Sequence, residues 1–178
     1  IRTDGEFPFV KGRMIERWVV SEQPGQFVDT NLRRTPPSAF HARVAWRDVT
    51  LLDGTTLPAS LLENGPPVVV EIWATWCPFC KRQNPHLQAL AERHRGTLTV
   101  LALSIDKDPG KARAYLKEHG YTFAAAIAGA DTERWFGTRE GLPEVYVVDR
   151  GRIVFREIGE MFPEDVAALG RFAVRRAG

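Results

Sequence analysis

Val68-Val-Val-Glu-Ile-Trp-Ala-Thr-Trp-Cys-Pro-Phe-Cys-Lys81 is the stretch on which the fold turns. Its first six residues are β-branched or bulky, apart from one glutamate. Gly65-Pro66-Pro67 precedes them, so Val68–Trp73 reads as a buried strand. Cys77 and Cys80, the only two cysteines in the chain, come next. Pro78 suits the first turn of a helix, where its missing N–H costs nothing. Leu87, Leu90 and Ala91 then give that helix an apolar face, and Gly96 ends it. Cys77 therefore falls at a helix start, where unsatisfied N–H groups and the positive end of the helix dipole favour a thiolate. Such a position lowers a thiol pKa from about 8.5 toward roughly 3.5–7.5. Cys80, one turn further in, is expected to be more buried and to stay a thiol. That asymmetry separates an attacking sulfur from a resolving one.

Upstream of this stretch, Val44, Trp46, Val49 and Leu51 suggest a strand, Asp53-Gly54 a tight turn, and Pro58–Leu62 a short helix. Downstream, a strand is expected over Leu98–Ile105. A helix opening after Asp108-Pro109 carries Ala112, Tyr115 and Leu116 and stops at Gly120. Then come a short strand near Phe123–Ile127 and a short helix near Asp131–Phe136. Val145–Val148 and Ile153–Ile158 form a hairpin around Arg150-Gly151, and Pro163–Ala173 is a closing helix with Val166, Leu169 and Phe172 inward. Strands alternating with helices, ending in a hairpin, argue for a central mixed sheet covered on both faces.

The chain of 178 residues is 44% hydrophobic and 26% charged, ample for a core and ordinary for a soluble protein. Its net charge of +2 is too small to argue for nucleic acid, and Arg33-Arg34 and Arg175-Arg176 read as solvated surface. No apolar run approaches the roughly 18 residues needed to span a bilayer. The chain starts at Ile1 without an initiator methionine, a basic segment or an apolar leader, and reads as a mature or trimmed product. Residues 1–37 differ from the rest. They hold Pro8, Pro24, Pro36 and Pro37 and one apolar patch, Met14, Ile15, Trp18, Val19 and Val20, suited to a short helix or a strand. Pro36-Pro37 reads as a linker to the domain at residues 38–178.

The order of elements, with Cys-x-x-Cys at the first long helix, resembles an α/β thioredoxin-like fold: a central mixed sheet flanked by helices, here with an N-terminal extension and a hairpin. Trp73-Ala-Thr-Trp-Cys-Pro-Phe-Cys-Lys81 resembles the TlpA/ResA/CcmG group of extracytoplasmic thiol-disulfide oxidoreductases, as do the hairpin Thr50–Leu57 and the insert around Ser104–Ile127. Gly141-Leu-Pro-Glu-Val-Tyr-Val-Val-Asp149 is closer to the CcmG (DsbE) cytochrome c maturation reductases, which carry a Gly-x-Pro-Glu segment there. The likeness spans roughly residues 40 to 175. Gln83 departs from it, standing where the family's helix often has a glutamate. Glu71 departs too, standing where those proteins often have asparagine and thioredoxin a buried aspartate. Residues 1–37 have no counterpart in it.

Cys77 and Cys80 read as a redox dithiol: Cys77 attacks a substrate disulfide, and Cys80 displaces the substrate from the mixed disulfide. The alternative is half of a zinc site, but His41, His86, His94 and His119 offer no paired-histidine spacing. Pro78 and Phe79, between the cysteines, tune redox poise, and nothing marks His86 as a base. Glu71 is a lone carboxylate in an apolar strand; it matches the thioredoxin aspartate that resembles a proton acceptor for the resolving thiol. The alternative puts Glu71 on an edge, paired with Lys81 or an arginine. Pro143 resembles the cis-proline that faces the cysteines in thioredoxin folds, leaving the Leu142 backbone to pair with an extended substrate; an ordinary trans proline is the alternative. Glu144 either faces the site or is a solvated strand residue. Trp76 is expected on the substrate-contacting rim with Phe79, and Trp73 in the core. Lys81 either adds positive potential near Cys77 or simply lies on the helix surface.

The resemblance implies a periplasmic thiol-disulfide oxidoreductase working as a reductase, soluble or tethered by an N-terminal segment since removed. Its electrons would come from a membrane thiol reductase. Its substrate would be a protein with a Cys-x-x-Cys pair, such as apocytochrome c or a copper-site apoprotein. No organic cofactor and no metal are called for, because the dithiol itself carries two electrons. An oxidase or isomerase on the same fold stays open, and so does a metal-binding chaperone using Cys77, Cys80 and a histidine.

Overall fold

β-branched side chains at Val68, Val69 and Val70 favour extended backbone, and the computed structural model places a strand, β7 (Val68–Trp73), there, buried along its whole length. The structure describes residues 42–174 and, before them, four short strands: β1 (Phe9–Val10), β2 (Arg13–Met14), β3 (Trp18–Val20) and β4 (Phe27–Asp29). β1 pairs with β2 and β3 with β4, both antiparallel. The Trp18–Val20 part of the early apolar patch is thus strand. The linker expected at Pro36-Pro37 lies outside the described residues. The chain divides into two compact units, Ile1–Phe40 and His41–Gly178.

In the larger unit, β5 (Val49–Thr50) and β6 (Thr56–Leu57) form the first hairpin. Asp53 holds its turn by accepting the Thr55 N–H (2.8 Å) and hydroxyl (2.6 Å). After α1 (Ala59–Asn64) come β7, α2 (Pro78–Arg93), β8 (Thr99–Ser104), α3 (Pro109–His119), β9 (Ala124–Ile127) and α4 (Ala130–Phe136). The hairpin β10 (Glu144–Asp149) and β11 (Arg152–Ile158) follows, then α5 (Pro163–Ala168) and a single turn of tighter helix, Leu169–Phe172. Asp108 caps α3 by accepting the Gly110 N–H, and Gly120 closes it with φ +66°, a left-handed conformation that glycine adopts freely.

The central sheet runs β11-β10-β7-β8-β9. β7, β8 and β9 are parallel, and β10 is antiparallel to both of its neighbours. Period-two alternation along β7 sends Val69 and Trp73 to one core, shared with the cysteines, Leu87 and Leu90 of α2, Tyr115 of α3 and Val166 of α5. Val68, Val70 and Ile72 face the other core, with Leu62 of α1 and Trp135 and Phe136 of α4. Glu71 therefore belongs to the face that α2 covers.

The strand expected across Val44 to Leu51 is mostly absent. The Val44 N–H bonds the Gly151 carbonyl (2.8 Å) and the Ile153 N–H bonds that of Ala42 (3.1 Å), so the chain briefly covers the outer edge of β11. At Trp46 the N–H turns back on the Val44 carbonyl, and the indole packs 4.9 Å from that of Trp135. The apolar alternation there serves burial across a sheet face rather than pairing. The closing helix likewise stops at Ala168 and finishes as the tighter turn, with Val166 and Leu169 buried and Phe172 partly so.

Candidate active site

The sharp end of β7 leads through Ala74-Thr75-Trp76 into α2, and Cys77 is the N-cap of that helix (φ −82°, ψ 114°). Its sulfur accepts the Cys80 N–H at 3.2 Å, as an N-cap oxygen would, while its carbonyl takes the Lys81 N–H at 3.1 Å. Both cysteines are free thiols. Cys77 is 3% exposed and Cys80 fully buried, so the two differ more in bonding than in depth. Burial pushes the Cys80 thiol far above the ordinary range; the bond with Cys77 and the charge of Glu71 push it the same way.

Glu71 is fully buried beneath α2. Gln83 Nε2 donates to its Oε1 at 2.8 Å. The Asn84 amide, turned so that its nitrogen meets acceptors, donates to Oε2 at 2.9 Å and to the Cys80 carbonyl at 3.2 Å. No lysine or arginine pairs with Glu71 among the described residues, and Lys81 is exposed. The edge-strand alternative is overturned because β7 is the middle strand of five. Burial raises the carboxyl pKa to about 8, opposed by the Gln83 bond. The two departures from the family pattern, Glu71 and Gln83, are thus each other's partners.

The Leu142–Pro143 peptide bond is cis. The Pro143 carbonyl accepts the Gly159 N–H at 2.7 Å, and two residues on, the Met161 N–H donates to Gln83 Oε1 at 2.7 Å. Between them, Glu160 grips Arg82 through both carboxylate oxygens (2.9 and 2.7 Å), and the Arg82 guanidinium carbon lies 4.9 Å from the centre of the Phe79 ring. Gly159 to Met161 therefore joins the proline loop, the cysteine helix and the buried carboxylate. Trp76 (63% exposed) and Phe79 (49%) form an apolar rim beside the sulfurs, while Trp73 is wholly core, 5.3 Å from Tyr115.

Glu144 is neither solvated nor aimed at the sulfurs. β10 is an interior strand, so its first residue is buried. One carboxylate oxygen accepts the N–H groups of Glu140 (2.5 Å) and Gly141 (3.1 Å), and the other the Tyr146 hydroxyl (2.9 Å). It shapes the loop before Pro143.

Sequence reasoning missed Asp106. This buried carboxylate accepts the Thr75 N–H (2.9 Å), the Thr75 hydroxyl (2.7 Å) and the Ser104 hydroxyl (2.6 Å). Burial works to raise its pKa, but those bonds outweigh it and hold the carboxyl below the usual range. It anchors the turn leading to Cys77. The signal was two polar residues, Ser104 and Asp106, following the apolar run Val100–Leu103 at the end of β8. Asn84 was missed as well, although it lies four residues after Cys80 on the same helix face. Among the described residues, no group of three or more His, Cys, Asp and Glu side chains is placed to hold a metal ion.

The Redoxin family model matches residues 42–171. A DsbE homologue from Paracoccus denitrificans, named a thiol:disulfide interchange protein, is 31% identical over 144 residues, 75% of this chain and 77% of that one. The DsbE protein of Escherichia coli is 30% identical over 112 residues, 62% of this chain, and the match spans 59% of its own length. A thiol:disulfide interchange protein of the thioredoxin family from Chlorobium tepidum has the same thioredoxin-like fold (TM-score 0.67, 21% identity, 75% of this chain and 96% of that one).

Proposed function

The chain belongs to the Redoxin family, with DsbE thiol:disulfide interchange proteins among its homologues, and from that premise we propose that it is a periplasmic reductase of protein disulfides. The observation that carries this reading is the sulfur of Cys77 capping α2 over a buried thiol and a buried carboxyl. The Cys80 N–H and the helix dipole both favour negative charge on Cys77. As a thiolate, Cys77 attacks one sulfur of the substrate disulfide. The S–S bond breaks, a mixed disulfide forms, and the other substrate sulfur leaves as a thiolate. Cys80 then gives its proton to Glu71 and attacks the Cys77 sulfur. The second substrate sulfur is released, the enzyme disulfide forms, and two electrons have passed to the substrate. In the return direction protonated Glu71 hands its proton to Cys80 as that sulfur leaves.

Trp76, Phe79 and Pro78 present apolar surface to the substrate, and the Leu142 backbone beside Pro143 pairs with an extended segment of it. A membrane thiol reductase returns the electrons. A protein Cys-x-x-Cys pair, such as that of apocytochrome c, is the substrate class that the DsbE likeness favours. No helix among the described residues is long and apolar enough to cross a membrane.

Trapping tests the assignment. A Cys80→Ser variant accumulates mixed disulfides through Cys77, whereas Cys77→Ser forms none; equal trapping by both variants refutes the roles. Equilibration with glutathione tests direction. A potential near or below about −220 mV fits a reductase, and one near about −120 mV makes the protein an oxidant.

A further inference from the structure

Leu142 is held on both sides but not at its own backbone. The Gly141 N–H donates to Glu144 Oε1 at 3.1 Å, and the Pro143 carbonyl accepts the Gly159 N–H at 2.7 Å. Among the described residues, no hydrogen bond engages the N–H or the carbonyl of Leu142 itself. An open donor and acceptor between two fixed flanks form a short edge for an extended chain.

The hold on the first flank is a closed ring of hydrogen bonds. Glu144 Oε1 also accepts the Glu140 N–H (2.5 Å), and Oε2 accepts the Tyr146 hydroxyl (2.9 Å). Arg156 Nε donates to that hydroxyl oxygen (3.2 Å), and its Nη2 reaches back to Glu140 Oε1 (2.7 Å). The contacts thus leave residue 140 through its backbone and return to it through its side chain. Period-two alternation puts Glu144 and Tyr146 on one face of β10, and the register sets Arg156 of β11 opposite Tyr146. Glu144 and Tyr146 are each 1% exposed, so the ring runs through the interior and meets solvent at the Glu140 side chain. Burial first, and then the charge of Glu144, push the Tyr146 hydroxyl pKa up, so it stays a donor at neutral pH. We propose that Tyr146 and Arg156 are positioning residues for substrate docking: acting through Glu144, they hold residues 140–141 so that the Leu142 backbone is set to pair with an extended polypeptide. Preorganisation of this kind lowers the ordering cost of binding and leaves the bond-breaking step alone. It therefore favours polypeptide disulfides over small ones, which reach the Cys77 sulfur without pairing along the chain.

The inference rests on the reading of Leu142 as the substrate-pairing residue, and two measurements separate the ideas. The first is turnover by the full-length protein, with dithiothreitol as electron donor, of insulin and of glutathione disulfide. Tyr146→Phe removes the hydroxyl and keeps the ring packed 4.4 Å from that of Phe136, while Arg156→Met removes both guanidinium bonds. Each raises KM for insulin by about fivefold to tenfold with kcat nearly unchanged, the size of a lost hydrogen bond or two. The rate with glutathione disulfide stays within about twofold, since no chain is docked. Arg156→Lys does not restore the insulin KM, because one ammonium does not span the Tyr146 hydroxyl and Glu140 as the planar fork does. A merely structural network slows both substrates alike; that outcome, or an unchanged insulin KM in either variant, overturns the inference. The second measurement is hydrogen exchange of the Leu142 amide in Cys80→Ser protein joined through Cys77 to a cysteine-containing peptide. Exchange slows relative to the peptide-free protein; no slowing removes the docking role of Leu142, and this inference with it.

Discussion

Glu71 links the proposed proton transfer to stability. Its carboxyl pKa lies at about 8 in the folded protein against an ordinary value of 4.5, because burial disfavours the charge. A group whose pKa is raised on folding contributes its full stability below the unfolded value and loses it as pH rises through the folded one. The wild type is thus expected to lose up to about 1.4 kcal/mol of stability per pH unit between roughly pH 4.5 and 8 from this group. Glu71→Gln removes that slope, measured by urea unfolding at pH 5 and pH 8. The substitution fits, because Gln83 still has a carbonyl to donate to and the Asn84 amide can turn over. Kinetically, release of the mixed disulfide accelerates with pH through about 8 in the wild type. Glutamine cannot accept the proton, so the variant is slower by about 10²-fold or more, seen as a flattened pH profile in single-turnover release. Unchanged release kinetics in that variant refute the proton-acceptor role.

Among elements, the turn between β7 and α2 depends on a partner distant in sequence. Asp106 satisfies two groups of Thr75 and one of Ser104 in a buried setting. Asp106→Ala leaves the Thr75 N–H and the hydroxyls without that acceptor and costs about 1–3 kcal/mol. Chemical denaturation measures the loss, and exchange of the Thr75 amide proton accelerates with it. Leu87 is the corresponding anchor of α2: fully buried against the sheet, it costs about 2–5 kcal/mol as alanine, with the denaturation midpoint as readout. A Leu87→Ala midpoint within error of the wild type means α2 is not held by that face.

For the whole molecule, both cores lie within His41–Gly178. A fragment beginning at His41 is expected to unfold cooperatively, with the near-ultraviolet dichroism of packed tryptophans and alkylation of Cys77 ahead of Cys80. A fragment without a cooperative transition overturns that autonomy. Legibility at this scale was uneven for a physical reason. The parallel strands and their helices were readable, because each carries its own periodicity and stop signals, such as Gly120 and Asp108-Pro109. The segment from Val44 to Leu51 was misread, because alternating apolar residues look alike whether they pair in a sheet or cover one.

Local sequence determined that an apolar strand hands Cys77 to a helix start, which follows from backbone geometry over a few residues; it left Glu71 open between an interior and an edge position, and the sheet order decided that. Nor could local sequence determine what Glu71, Thr75 and Arg82 meet. Those partners stand 12, 31 and 78 positions away, and Glu144 became a loop anchor only because β10 docked between two strands. The tertiary structure decided these, since a hydrogen bond across such separations exists only after the sheet has brought its ends together.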